Sequence, residues 1–197
     1  VDSLKRILQQ NEAWSDLVKS QDSEYFARSA TGQSPAYLWI GCADSRVSAE
    51  VITSMDPGEL FVHRNVANLV PAGDINSLSV IEYAVAALKV EHIIICGHYK
   101  CGGVKAVLDN QTVGVLDSWL ASVKETKNAN LGELAEMEHE DQWEWLCELN
   151  VQAQVETVIN LPVVQKAWSA GQPLHVHGLI YDIAEGRLDN LDISRSA

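Results

Sequence analysis

Apolar residues recur along this chain in two alternating rhythms. Short apolar runs at 37–40, 60–62 and 91–96 are strand-sized, and the stretches between them carry apolar positions at helical spacing. The run Glu91-His92-Ile93-Ile94-Ile95-Cys96 is the strongest signal of a buried strand. Residues 48–55 read as a short helix stopped by Pro57 and Gly58. Residues 75–88 read as a longer helix, with Leu78, Ile81, Val85 and Leu88 on one side, and Gly102-Gly103 opens another. Further helices are predicted near 114–127, 139–160 and 162–170, and extended chain over 174–183. Glu185-Gly186 marks a hairpin turn leading to a last strand through Leu188.

Strands alternating with helices predict an α/β fold: a mostly parallel central β-sheet flanked by helices, with a C-terminal antiparallel strand. Residues 1–197 are expected to form one domain, with a helical arm over 1–30 and the core over 31–197. The arm carries Leu4, Ile7, Leu8, Trp14, Leu17, Val18 and Phe26, few apolar residues per turn. Such a helix packs either on its own domain or across a partner subunit.

Composition narrows the function. The chain has 197 residues, 47% of them apolar, with 14 basic and 27 acidic side chains and a formal charge of -13. So acidic a chain, without a Lys/Arg cluster, disfavours nucleic acid as a partner. No apolar run has the length of a membrane span, and the opening VDSLKRILQQ lacks the apolar stretch of a signal peptide. Cys42, Cys96, Cys101 and Cys147 are widely spaced in a chain with a large core, which reads as reduced thiols and a cytoplasmic setting, or an organellar one had a transit segment preceded Val1.

Cys42 closes the first predicted strand, and His98 and Cys101 lie just beyond the third. In a parallel sheet both places are carboxyl ends of strands, where sites form. Two thiolates and an imidazole make a zinc set, and three protein ligands leave a fourth position open for water or substrate. Spacing alone leaves an accidental pattern equally open, with Cys96 and Cys147 as core thiols. Asp44 and Arg46 follow Cys42 in Cys42-Ala43-Asp44-Ser45-Arg46. In extended chain alternate side chains point the same way, so these two would line the pocket as a bidentate pair. The competing reading is an ion pair that pins a loop. The Gly97–Gly103 stretch has neither a Gly-x-Gly-x-x-Gly order nor a Gly-Lys-Ser/Thr ending, which argues against nucleotide binding.

Cys42-Ala43-Asp44-Ser45-Arg46 and Gly97-His98-Tyr99-Lys100-Cys101-Gly102-Gly103 resemble the two defining motifs of the β-class carbonic anhydrases. The stretch Phe61-Val62-His63-Arg64-Asn65-Val66-Ala67-Asn68 is similar to a third, and Ile81-Glu82-Tyr83-Ala84-Val85 falls where that family has a comparable helix. The resemblance is close over about 10–108 and looser to the hairpin near 186; Ser48 stands where many members have proline. It implies one Zn(2+) per chain on Cys42, His98 and Cys101, with Asp44 and Arg46 as the catalytic pair, and reversible hydration of carbon dioxide to bicarbonate. It further implies a carbon dioxide pocket lined by Gln33, Phe61, Val66 and Tyr83 at a subunit boundary, in a homodimer or homotetramer embraced by the arm. Members whose activity bicarbonate regulates have a second anion pocket, whose residues match Trp39, Glu50, Arg64 and Tyr181. The same scaffold would also suit a hydrolase of carbon disulfide or carbonyl sulfide, or, from another class, a zinc-stabilised scaffold without catalysis. His63 is as readily a core or interface histidine as a proton shuttle.

Overall fold

The densest apolar run becomes an interior strand of a five-stranded sheet. The computed structural model describes residues 2–197, and its strands are β1 (Tyr37–Cys42), β2 (Leu60–Asn65), β3 (His92–His98), β4 (His175–Asp182) and β5 (Arg187–Asn190). Their spatial order is β2-β1-β3-β4-β5, all neighbours parallel except the β4–β5 hairpin. β1, β3 and β4 are thus paired on both edges. A strand flanked on both sides and packed on both faces is apolar along its middle, which is why 93–96 shows a run rather than an alternation.

The chain divides into two compact units, Val1–Ser34 and Pro35–Ala197. In the first, α1 (Asp2–Gln21) and α2 (Tyr25–Ser29) replace the single helical stretch expected over 2–30, with a break in which the Asp22 carboxylate pairs with Arg28. Trp14 meets Phe26 edge to face at 5.6 Å. No side chain of α1 is buried, and Leu4, Ile7, Leu8 and Leu17 are all exposed.

In the second unit, helices α3 (Ala49–Thr53), α4 (Ile75–Glu82), α5 (Gly102–Leu108), α6 (Gly114–Trp119), α7 (Ala121–Ala129), α8 (Leu131–Leu134), α9 (His139–Ile159) and α10 (Pro162–Ser169) surround the sheet. They cover it unevenly. Leu38, Ile40, Ile93, Ile95, Val176 and Ile180 point into the larger core, where α4, α5 and α9 contribute Ile81, Val104, Leu146, Val151, Val155 and Val158. The opposite face holds a smaller cluster of Trp39, Ile94, Cys96 and Tyr181, whose buried helical partner is Ala49 of α3. Leu60, Val62, Leu179 and Leu188 on that face are only partly buried.

Two expected helices are divided. The stretch 75–88 is α-helical to Glu82 and then widens into π-helical turns over Tyr83–Leu88, ending at Lys89 with φ 59°. The stretch 114–127 breaks at Leu120, a fully buried residue with non-helical backbone, between α6 and α7. Among the described residues no helix is long and apolar enough to cross a membrane.

Candidate metal centre

Cys42 is the last residue of β1 and His98 the last of β3, so parallel pairing of the two strands brings both to one edge of the sheet. Cys101 stands at the N-cap of α5, returned toward the edge by a turn in which Lys100 has φ 60°. The Cys42 and Cys101 sulfurs and a His98 ring nitrogen all lie within 4.8 Å of one another, and all three residues are buried. No other group of three such side chains meets this spacing among the described residues.

The donor set fits a zinc ion. With His98 Nδ1 donating to the Tyr99 carbonyl at 2.8 Å, Nε2 carries the lone pair, and this Nε2 is buried with no hydrogen-bond partner. An orphaned buried nitrogen is costly unless something binds it. The two sulfurs are unequal: contact with the Cys101 thiol, then with His98, holds the Cys42 thiol low against its burial. The same contact with Cys42, together with burial, holds Cys101 high. Two buried thiols in contact, one held low and the other high, suit a shared cation, whose charge favours the thiolate of both. Cys96 and Cys147 differ: burial alone dominates, and it pushes the Cys147 thiol up to about 12. They are core thiols.

Asp44 and Arg46 do form the bidentate pair, by a different route from the one expected. The segment leaves β1 and turns at once, with Val47 N–H donating to the Asp44 carbonyl at 3.0 Å, so strand alternation does not bring them together. Arg46 Nε donates to Asp44 Oδ1 at 2.9 Å and Nη2 to Oδ2 at 2.7 Å, and the Arg46 backbone N–H adds a bond to Oδ1 at 3.0 Å. These donors hold the Asp44 carboxyl well below the usual carboxylate range. Asp44 Oδ2 lies 3.9 Å from the orphaned His98 Nε2.

Arg64, expected as an anion ligand, has its guanidinium on backbone carbonyls, a placement the sequence does not suggest. Its Nε donates to the Cys42 carbonyl at 2.9 Å and its Nη2 to the Asp44 carbonyl at 2.6 Å. Trp39 and Tyr181 share the smaller core cluster, whereas Glu50 is exposed on α3. Phe61 and Tyr83 rings meet at 5.7 Å, tilted by 43°. Val66 is exposed, accepts at its carbonyl from Trp119 Nε1 at 2.8 Å, and faces Gly103, where a Cβ would stand 3.0 Å from Val66 Cγ1. Gln33 belongs to the first unit and is exposed there. His63 is buried, its Nε2 3.1 Å from Asn65 Nδ2.

The loop after β2 rests on residues that the sequence reading passed over. Ala67 and Asn68 take φ 66° and 50°, a left-handed turn unusual for non-glycine residues. Asn150 Nδ2 donates to the Ala67 carbonyl at 2.9 Å, and Val70 N–H donates to Gln154 Oε1 at 2.8 Å. The signal was available: two amides four residues apart on the buried side of α9, where an apolar stripe is the norm.

A buried two-thiolate, one-imidazole site at the carboxyl edge of a parallel sheet, with a fixed carboxylate beside it, defines a zinc centre of the catalytic kind. The carbonic anhydrase family matches residues 37–188. A carbonic anhydrase of Emericella nidulans is 45% identical over 190 residues, covering 95% of this chain and 83% of that protein. One from Candida albicans is 40% identical over 195 residues, 97% of this chain and 69% of that protein. A solved Coccomyxa β-carbonic anhydrase in complex with acetazolamide superposes with a TM-score of 0.94 at 44% identity, over 98% of this chain and 88% of that one. A structure from a pair of tetrameric β-carbonic anhydrases of Sordaria macrospora gives 0.95 at 40% identity over 100% of both chains. The chain belongs to the β-class carbonic anhydrase family. It is an enzyme of zinc-dependent, reversible carbon dioxide hydration, with one zinc ion per chain.

Proposed function

We propose that Cys42, His98 and Cys101 hold the zinc, and that Asp44, positioned by Arg46, is the catalytic carboxylate. The observation that carries this reading is the Arg46-clamped Asp44 carboxylate 3.9 Å from the unpartnered His98 Nε2. When bound, zinc supplies acidified water, lowering its pKa from about 16 toward about 7. Two thiolate ligands cancel the ion's formal charge and temper that shift. Asp44 compensates as a fixed acceptor: with Oδ1 taken by two donors of Arg46, Oδ2 receives the proton side of a nucleophile and aims its lone pair at carbon. Arg46 keeps Asp44 ionised and stops it from swinging.

Phe61, Val66 and Tyr83 present apolar surface suited to a small linear substrate, with Gln33 assigned to the same pocket across a subunit boundary. This reading makes the enzyme a homodimer or homotetramer; the Sordaria macrospora relatives are described as tetrameric, and the exposed apolar positions of α1 suit a partner's surface. It treats residues 1–197 as one functional domain, with arm 1–30 and core 31–197. Four free cysteines favour a cytoplasmic setting, and the charge of -13 weighs against a nucleic-acid partner.

A second layer is bicarbonate regulation through Trp39, Glu50, Arg64 and Tyr181. Its support is the Arg64 guanidinium, which donates to the carbonyls of both Cys42 and Asp44. An anion that draws Arg64 away would loosen the loop holding a metal ligand and the catalytic carboxylate together.

The test is Asp44→Asn. The amide leaves every metal ligand in place but replaces an acceptor oxygen with a donor, so zinc content stays at one per chain while stopped-flow hydration falls by about 100-fold or more. Full activity in that variant would remove Asp44 from the mechanism.

A further inference from the structure

Three of the six histidines lie together at the other end of the sheet. His92 opens β3; His175 opens β4, with His177 two residues on. Residues i and i+2 of a strand share a face, and His92 is the register partner of His175, so parallel pairing places all three imidazoles on one face across two strands. His92 Nδ1 lies 3.1 Å from His177 Nε2. The His92 ring stacks on His175 at 5.3 Å between centroids, and on Tyr37 from the other side at 5.1 Å. The first six steps of β3 separate this cluster from His98, about 20 Å at ~3.3 Å per residue, so it is no part of the catalytic centre.

We propose that His92, His175 and His177 form a second metal site, for a divalent transition-metal ion of the copper, nickel or zinc type. A hydrogen bond between two imidazoles needs one lone pair and one proton. Two lone pairs 3.1 Å apart have instead the bite of a single ion bonded at about 2.0–2.1 Å to each nitrogen, at an angle of roughly 100°. His177 is oriented for this role, since its Nδ1 lies 2.9 Å from Ser194 Oγ; donation there leaves Nε2 as the free lone pair. The close pair is His92 and His177; His175, half-buried with its ring centroid 5.3 Å from that of His92 and 6.2 Å from that of His177, stands outside three-ligand spacing as placed and would have to turn its ring to complete the site. Imidazoles with no carboxylate among them select this class of ion over magnesium or calcium. Burial, and next the neighbouring imidazoles, lower the basicity of His92 and His177, which keeps them in the neutral form that binds metal.

The experiment titrates copper(II) into the zinc-loaded enzyme, whose catalytic site is already filled. One further equivalent per chain should bind, and its electron paramagnetic resonance should show coupling to imidazole nitrogens. His177→Asn should abolish that equivalent while leaving the first zinc and basal hydration unchanged. Ser194→Ala should weaken it by about tenfold. His139→Asn should leave it in place, because His139 pairs with Asp109 elsewhere on the surface. No second equivalent, a second equivalent that survives His177→Asn, or a wild-type spectrum without imidazole nitrogen would each overturn the proposal. The last reading needs no variant to fold.

Discussion

Arg46 grips Asp44 at three points, with Nε and the backbone N–H on Oδ1 and Nη2 on Oδ2. A guanidinium matches a carboxylate in this way and an ammonium does not. Arg46→Lys should therefore behave almost as badly as Arg46→Ala. Both should keep zinc and lose about 100-fold in kcat/KM, read by stopped flow beside metal analysis. A lysine variant with wild-type rate would show that charge alone suffices.

The four cysteines should divide into two behaviours. Cys42→Ser should lose most of its zinc, because a neutral hydroxyl replaces a thiolate. Cys147→Ser, deep under β3, should keep zinc and lose about 1–3 kcal/mol of stability from a buried hydroxyl. Metal content and denaturant unfolding measured on the same preparations separate the two effects.

Gly97 sets how closely α9 approaches the strand that carries His98. A Cβ there would stand 2.5 Å from Val151 Cγ2 and 3.1 Å from Ile180 Cδ1. Gly97→Ala should cost about 1–3 kcal/mol by overpacking. It should also weaken zinc retention against a chelator, since the displaced residue adjoins a ligand. Gly97→Ala with Val151→Ala restores room and should recover part of both.

Arg64→Ala removes two bonds to the catalytic loop at once. Rate against pH at several bicarbonate concentrations should lose any cooperative inhibition, and Trp39→Phe should do so less completely. If both variants keep the wild-type response, regulation through this pocket fails while carbon dioxide hydration stands.

Deleting residues 1–30 tests the arm. Sedimentation should show the truncated chain losing its oligomer, with hydration falling alongside. A fully active, stable monomer would contradict the assignment of the pocket to a subunit boundary.

Much of this was legible because strands and ligands announce themselves locally. The stretch 91–96 carried the strongest buried-strand signal, and Cys42 and His98 could be placed at carboxyl ends of parallel strands; that β1 and β3 are neighbours is the sheet order, which the sequence does not state. The bidentate pair was foreseen, yet the reason was wrong: a turn at Asp44, fixed by a backbone bond to Val47, does what alternation was expected to do. The π-helical end at Tyr83–Leu88 was hidden, because a helical period in apolar residues does not distinguish four-residue from five-residue bonding. The left-handed turn at Ala67 and Asn68 was hidden too, since neither residue signals it. Its cause sits more than eighty residues away, in Asn150 and Gln154.

The metal pocket draws Cys42 from β1 and His98 from β3, strands adjacent in space but separated along the chain by all of β2 and α4. Closing that loop costs entropy before any contact repays it, and parallel pairing of this kind is slow. A chain still searching for its register offers two scattered thiols and a lone imidazole, which hold zinc weakly. Capture of the ion thus marks the moment the sheet locks, and the rate of zinc uptake during refolding becomes a clock for the slowest pairing in the molecule.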